Sequence, residues 1–229
     1  MWMVVAMVAV AAASFAVLYP MLTTDTACRY APMAEAFASG EWREAFHPRF
    51  GVGMSVVAGL FRFISGVDGY ASCAFVSTLA WAFAAVPLFR LAESTFDRRT
   101  AWCVILIYFV CPMPLLWALK GLREPFKMLG TLLMADAIMR RRDGADRVSC
   151  PEAILGFAML ALFKVDAILI ACALALVYIV HDRFTVRSWS LLGVSALTMQ
   201  PLCWLVWDWT GYWLPAPQFV PIWQKAFGG

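Results

Sequence analysis

From Met1 to Leu22 the chain carries no charged side chain. Similar uncharged runs return at 70–89, 101–119, 153–163, 167–180 and 188–207. A helix needs roughly 20 apolar residues to cross a bilayer core of about 30 Å. Such runs, repeated along one chain, leave too little polar surface for water. Charged residues make up 14% and hydrophobic residues 63%, against about 25% and about 45–50% in soluble domains. A soluble enzyme, a disordered chain and a secreted disulfide scaffold are excluded on this ground. A net charge of +3 is too small to point to nucleic acid. The expected fold class is an all-α integral membrane protein.

Seven spans are expected: Met1–Leu22, Tyr70–Leu91, Thr100–Trp117, Phe126–Met139, Glu152–Phe163, Ala167–Val180 and Ser188–Trp207. Pro112 and Pro114 should bend the end of the third. The first run has Ala11–Ala13 where a signal peptide would be cut. It lacks a basic leader and its apolar stretch is long, so it is read as a span. The tail from Asp208, with Trp209, Tyr212, Trp213 and Trp223, reads as an interfacial segment. The seven cysteines form no CxxC pair and mostly sit in apolar runs, so neither a disulfide nor a thiolate metal site is expected.

Residues 23–68 differ from the rest. Tyr30, Met33, Ala34, Phe37 and Ala38 recur at helical spacing, and Gly40 is a natural stop. A second helix follows Pro48, over Phe50–Ile64. It is short for a span and contains Arg62, so both helices are read as interfacial. The dense basic loops hold Arg90, Arg98 and Arg99, then Arg140–Arg142 with Arg147, then Arg183 and Arg187. They fall on one side of a seven-span chain. The positive-inside rule makes that side cytoplasmic, with the N-terminus inside and loop 23–68 outside. The tendency of 50–64 to span or to lie at the surface is the weak point of this topology.

On the outer side four features converge: Asp25, His47-Pro48-Arg49, Arg123-Glu124, and the turn with Lys164 and Asp166. A carboxylate can take a proton from an attacking hydroxyl. Fixed cations can stabilise charge on a departing phosphate. Each feature has a plainer reading. Asp25 could cap a helix, Lys164 could snorkel, Arg123-Glu124 could be a loop salt bridge, and His47 could be an interfacial polar residue. Asp136, one turn before Arg140, reads as an i,i+4 pair.

The stretch Thr24-Asp25-Thr26-Ala27-Cys28-Arg29-Tyr30-Ala31, continued by Ala34 to Trp42, resembles the first external loop of GT-C membrane glycosyltransferases. The resemblance is to the protein O-mannosyltransferase and lipid A aminoarabinose transferase group, glycosyltransferase family 39. It extends to His47-Pro48, to Glu124-Pro125 and to Lys164 at the end of the fifth span. The resemblance implies one GT-C-type transmembrane module over residues 1–229. It implies transfer of a sugar, with inversion, from a polyprenyl-phosphate carrier to an acceptor glycan, lipid or protein on the non-cytoplasmic face. Asp25 would be the catalytic base. Arg29, Tyr30, His47, Arg49, Arg123, Glu124, Lys164 and Asp166 would bind substrate. No cofactor is expected, and a divalent cation is left open. The partners are the carrier-linked sugar, the acceptor and membrane lipids, with no nucleic acid. The implied location is the bacterial inner (plasma) membrane.

The chain also departs from that pattern. Thr26 stands where many relatives have Glu after Asp. The spacing from Asp25 to Tyr30 is longer than in the aminoarabinose transferases. His47 replaces a Lys, so a phosphate contact passes to Arg49 or is lost, and Glu124 replaces Asp. Relatives continue beyond a seventh span, so a fragment, a split gene product or a minimal module is expected. Two other classes compete: a catalytically silent module that binds a lipid carrier or partner subunit, and a transporter. Against the transporter, the sequence shows no broken helix pair and no inverted repeat, and few ionisable residues fall at mid-membrane.

Overall fold

The computed structural model describes residues 23–46, 52–142, 149–163 and 166–181, with isolated positions 9 and 13. The expected first and seventh spans, His47, Arg49, Lys164 and the aromatic tail lie outside the described residues. Those described are helical, with no strand among them. A π-helical segment, Thr26–Tyr30, runs into α1 (Ala31–Ser39). Then come α2 (Trp42–Ala45), α3 (Val52–Ser65), α4 (Gly69–Thr95), α5 (Arg98–Val110), α6 (Pro112–Leu119), α7 (Glu124–Arg142), α8 (Ser149–Phe163) and α9 (Asp166–His181).

A helix is present where the apolar spacing from Tyr30 predicts one, and it begins earlier than that spacing suggests. Asp25 is already helical, at φ −63° and ψ −44°. Pro32 stands two residues beyond the end of the π segment. Proline donates no amide hydrogen bond, and its ring crowds the carbonyl four residues back. A local i→i+5 register, seen as Ala31 N–H donating to Thr26 C=O, relieves that crowding. Gly40 ends α1 at φ 83°, the left-handed conformation glycine adopts without strain. The short α2 was not expected. Its Trp42 meets Phe37 edge-on at 4.9 Å and stacks on Phe46 at 6.2 Å.

α4 is the one described helix that is by itself long and apolar enough to cross a membrane. Asp68 caps it, accepting from the Ala71 amide at 2.9 Å. The next apolar stretch passes that test only as a pair, α5 with α6, bent by 51°. The expected bend is a break, placed one residue before the prolines, and it corrects the expectation of no broken helix pair. Cys111 is extended, at φ −65° and ψ 116°, because a following proline disfavours the helical conformation. α7 starts at Glu124 and ends at Arg142, so it takes in charges that the reading Phe126–Met139 left outside. α3 and the Pro151–Phe163 part of α8 are shorter apolar helices.

α4 is the centre of the packing and touches α1, α3, α5, α6 and α7. Its Ala74, Ala80, Ala82, Ala84 and Ala85 are buried, and small residues let helix backbones approach. Trp81 is buried and stacks on Tyr108 at 5.9 Å, while the Tyr108 hydroxyl donates to the Trp81 carbonyl at 2.7 Å.

The most extensive pairing is α7 on α8. There Gly130 and Gly156 face each other. A Cβ on Gly156 would lie 2.7 Å from the Gly130 carbonyl and 2.8 Å from Met134 Cγ. In an exposed helix, Gly→Ala stabilises by about 0.8–1 kcal/mol. Gly156→Ala is expected to do the opposite, costing about 1–3 kcal/mol through overpacking against backbone. A lowered melting temperature in detergent would show it, and a raised one would refute the close approach.

Candidate functional site

The described helices gather several of the predicted residues at one end. Asp25 precedes the π segment and Arg29 lies one turn on. Their side chains pair at 2.7 Å, and each is about half exposed, 54% for Asp25 and 50% for Arg29. Thr26, next to Asp25, points the other way. It is fully buried, and its hydroxyl donates to the Lys120 carbonyl in the α6–α7 loop. Thr23 adds a longer contact to the same carbonyl, 3.5 Å. This accounts for the threonine where the resembled enzymes often have a second acid. A carboxylate at position 26 would be buried with its oxygens facing a carbonyl oxygen.

Gly121 makes that approach possible. It has φ 65°, and a Cβ there would lie 3.0 Å from the Ala74 amide nitrogen and from Thr26 Cγ2. Gly121→Ala should cost about 1–2 kcal/mol for the left-handed backbone alone, with packing strain added. Gly40 is a built-in control, since it also has positive φ and no atom near its Cβ position. Gly121→Ala should therefore lower the melting temperature more than Gly40→Ala. Equal losses would mean the loop does not press on α4.

Tyr30 is buried beneath this surface, and Arg123 lies over its ring at 6.0 Å. Burial raises the Tyr30 phenol pKa above its ordinary value, and the Arg123 charge opposes the rise. Glu124, Asp25 and Arg29 also act on the phenol electrostatically. Arg123 Nη1 donates to the Phe163 carbonyl at 3.4 Å, at the end of α8. The Phe163 ring stacks on Phe126 at 4.0 Å and closes on Gly53 at the start of α3. Arg123 thus ties the end of α8 to Tyr30.

The reading of Arg123-Glu124 as a loop salt bridge is corrected. Glu124 opens α7 and pairs with Lys127 at 3.5 Å. On a helix, residues three apart share a face, whereas neighbours diverge. Asp166 opens α9, but its side chain, like Lys164, His47 and Arg49, lies outside the described residues. The described residues therefore bring together Asp25, Arg29, Tyr30, Arg123 and Glu124. Sequence reasoning missed Thr26, Gly121 and Lys127. Lys127 could have been found as the i,i+3 partner of Glu124. Thr26 and Gly121 depend on a contact between segments far apart in the chain.

At the opposite end of α4, α7 and α8 lies a second charged group. Arg90 reaches Asp136 at 3.3 Å and Glu152 at 3.0 Å. Arg140 pairs with Asp136 at 3.1 Å and also with Glu152. The expected Asp136–Arg140 pair is present, and two further helices join it. Asp136 keeps only 2% of its side chain exposed. Two cations and two anions close a neutral set, as charges at an apolar helix bundle require.

Cys28, Cys73, Cys103, Cys111 and Cys172 are free thiols. The chain matches no known protein family, no curated protein and no solved structure.

Proposed function

We propose that this chain is a membrane glycosyltransferase that moves a sugar from a polyprenyl-phosphate carrier to a hydroxyl acceptor on the non-cytoplasmic face. The observation that carries the reading is an exposed carboxylate, Asp25, grouped at one helix end with Arg29, Tyr30, Arg123 and Glu124. In the proposed step, Asp25 takes the proton of the acceptor hydroxyl. The acceptor oxygen bonds to the anomeric carbon from the face opposite the carrier, which inverts the configuration. The bond from that carbon to the phosphate oxygen breaks, and polyprenyl phosphate leaves as an anion. Arg29 and Arg123, with Lys164 and Arg49, balance its charge. Tyr30, His47, Glu124 and Asp166 are the further residues assigned to carrier and sugar binding. The remaining parts of the reading are seven spans, two interfacial helices, a cytoplasmic N-terminus and insertion in the bacterial inner membrane.

A second reading has an observation of its own. Asp25 is already paired with Arg29 at 2.7 Å, so the oxygen that would receive the acceptor's proton faces a guanidinium. That favours a module that binds the carrier without turnover. The two part in one experiment. The purified chain is reconstituted in liposomes with a polyprenyl-phosphate sugar and a hydroxyl acceptor, and free polyprenyl phosphate is measured. Release above the protein-free rate supports transfer. Retention of the carrier without release supports the binding module, and neither would end both readings.

A further inference from the structure

Where α1 turns into α2 the chain forms an open cavity of about 410 Å³, lined by Gly40, Glu41, Trp42, Arg43 and Glu44. Small-molecule sites fall in the range of about 300–1,000 Å³. Aromatic rings hold one wall in place. Trp42 meets Phe37 edge-on, with 90° between the ring planes, and lies nearly parallel to Phe46, at 15°. Phe46 is buried with Ala36, Ala45 and Val52. The indole is therefore braced from beneath, while 41% of Trp42 remains exposed.

The polar groups beside the indole are uncommitted. Glu41 is the N-cap residue of α2, yet its side chain makes no capping bond. Glu41, Arg43 and Glu44 are exposed. Among the described residues none of the three has an ion pair or a side-chain hydrogen bond. Two carboxylates and one guanidinium leave one negative charge in excess, which repels an anionic ligand, while Arg43 repels a cationic one. An apolar ligand would desolvate all three charges without partners. A neutral ligand rich in hydroxyls satisfies every group. Its hydroxyls donate to the carboxylates and accept from the guanidinium, and the C–H face of a sugar ring rests on the negative face of the indole. The cavity lies at the same end of the helices as Asp25. Val52, packed with Phe46, is followed by Gly53, which meets Phe163, and the Phe163 carbonyl accepts from Arg123. The five residues of the π segment and the nine of α1 carry the chain about 20 Å from Asp25 to this turn.

We infer that the Gly40–Glu44 turn binds a neutral oligosaccharide, with one sugar ring on Trp42 and its hydroxyls held by Glu41, Arg43 and Glu44. The site is separate from Asp25 and stands whether or not the chain transfers sugar; where it does, the bound glycan is the acceptor. The test uses the full chain in phosphatidylcholine nanodiscs. Titration calorimetry measures binding of neutral hexasaccharides of glucose, mannose and N-acetylglucosamine, with choline and a hexagalacturonate as cationic and anionic comparisons. The expected result is saturable binding of at least one neutral hexasaccharide, tighter than either comparison. Trp42→Ala should weaken it by about tenfold or more, and Trp42→Phe by less. Because Trp42 also packs on Phe37 and Phe46, a second variant avoids the rings. Glu41→Gln with Glu44→Gln keeps the size of both side chains and removes charge-assisted hydrogen bonds, so affinity should fall by about tenfold with the melting temperature unchanged. The inference is overturned if none of the three hexasaccharides binds saturably, or if choline or hexagalacturonate binds more tightly. It is equally overturned if affinity is unchanged in Trp42→Ala or in the double glutamine variant. None of these measurements reads transfer, so their failure leaves the transfer reading standing.

Discussion

Asp25→Asn is expected to reduce sugar transfer by about 10²–10⁴-fold, the usual contribution of a positioned general base. The substitution keeps the size of the side chain and a hydrogen bond to Arg29, and removes the site that accepts the proton. Folding should be almost untouched. The Asp25–Arg29 pair is half exposed, and exposed i,i+4 pairs stabilise by only about 0.3–0.5 kcal/mol. The informative comparison is with Arg29→Ala. If Arg29 serves the departing phosphate, Arg29→Ala should weaken carrier binding as well as turnover. If it only restrains Asp25, the freed carboxylate should transfer at least as fast. Initial rates with a polyprenyl-phosphate sugar, with expression and melting followed in parallel, would measure both. Wild-type transfer by Asp25→Asn would remove Asp25 from the chemistry and leave carrier binding standing.

The largest expected effect on stability comes from the other end of the helices. Asp136→Ala removes the one buried member of the four-charge set and leaves Arg90 and Arg140 sharing Glu152. Breaking a fully buried ion pair costs about 3–5 kcal/mol. Arg90 is 41% exposed and can turn outward to polar surroundings, so the expected loss is smaller, about 2–3 kcal/mol once solvent screening is counted. Asp136→Leu combined with Arg140→Leu restores neutrality and leaves the Arg90–Glu152 pair at 3.0 Å intact. The double variant should therefore be more stable than Asp136→Ala alone, a coupling that additive losses would not produce. Melting of the three proteins in one detergent decides it. An unchanged melting temperature for Asp136→Ala would show that the set contributes nothing to holding α4, α7 and α8 together.

How much was legible in the sequence follows from how local each determinant is. The α1 stop at Gly40, a disturbance of the helix at Pro112 (read as a bend, found as a break) and the Asp136–Arg140 pair were readable, because each depends on residues within one or two turns. The start of α1 was not, because apolar spacing carries no trace of a π register that answers to Pro32. The Glu124 pairing was misassigned because it depends on where α7 begins, and helix boundaries are the least legible part of a sequence. Of the candidate site, Asp25, Arg29, Tyr30, Arg123 and Glu124 were named from the chain. Their grouping required Thr26 to meet Lys120 and Gly121, residues far apart in sequence.

The sequence by itself determined that this protein is helical, apolar and low in charge, since burial energy and helix-breaking residues act position by position. The tertiary structure decided which charges meet. Arg90 and Glu152 join Asp136 and Arg140 because α4, α7 and α8 come close enough for the pairs to form, with Gly130 and Gly156 seating α7 against α8. Arg123 reaches Tyr30 and Phe163 because Gly121 lets its loop press on α4. Contacts of this kind depend on the distance between backbones, which no single stretch of sequence encodes.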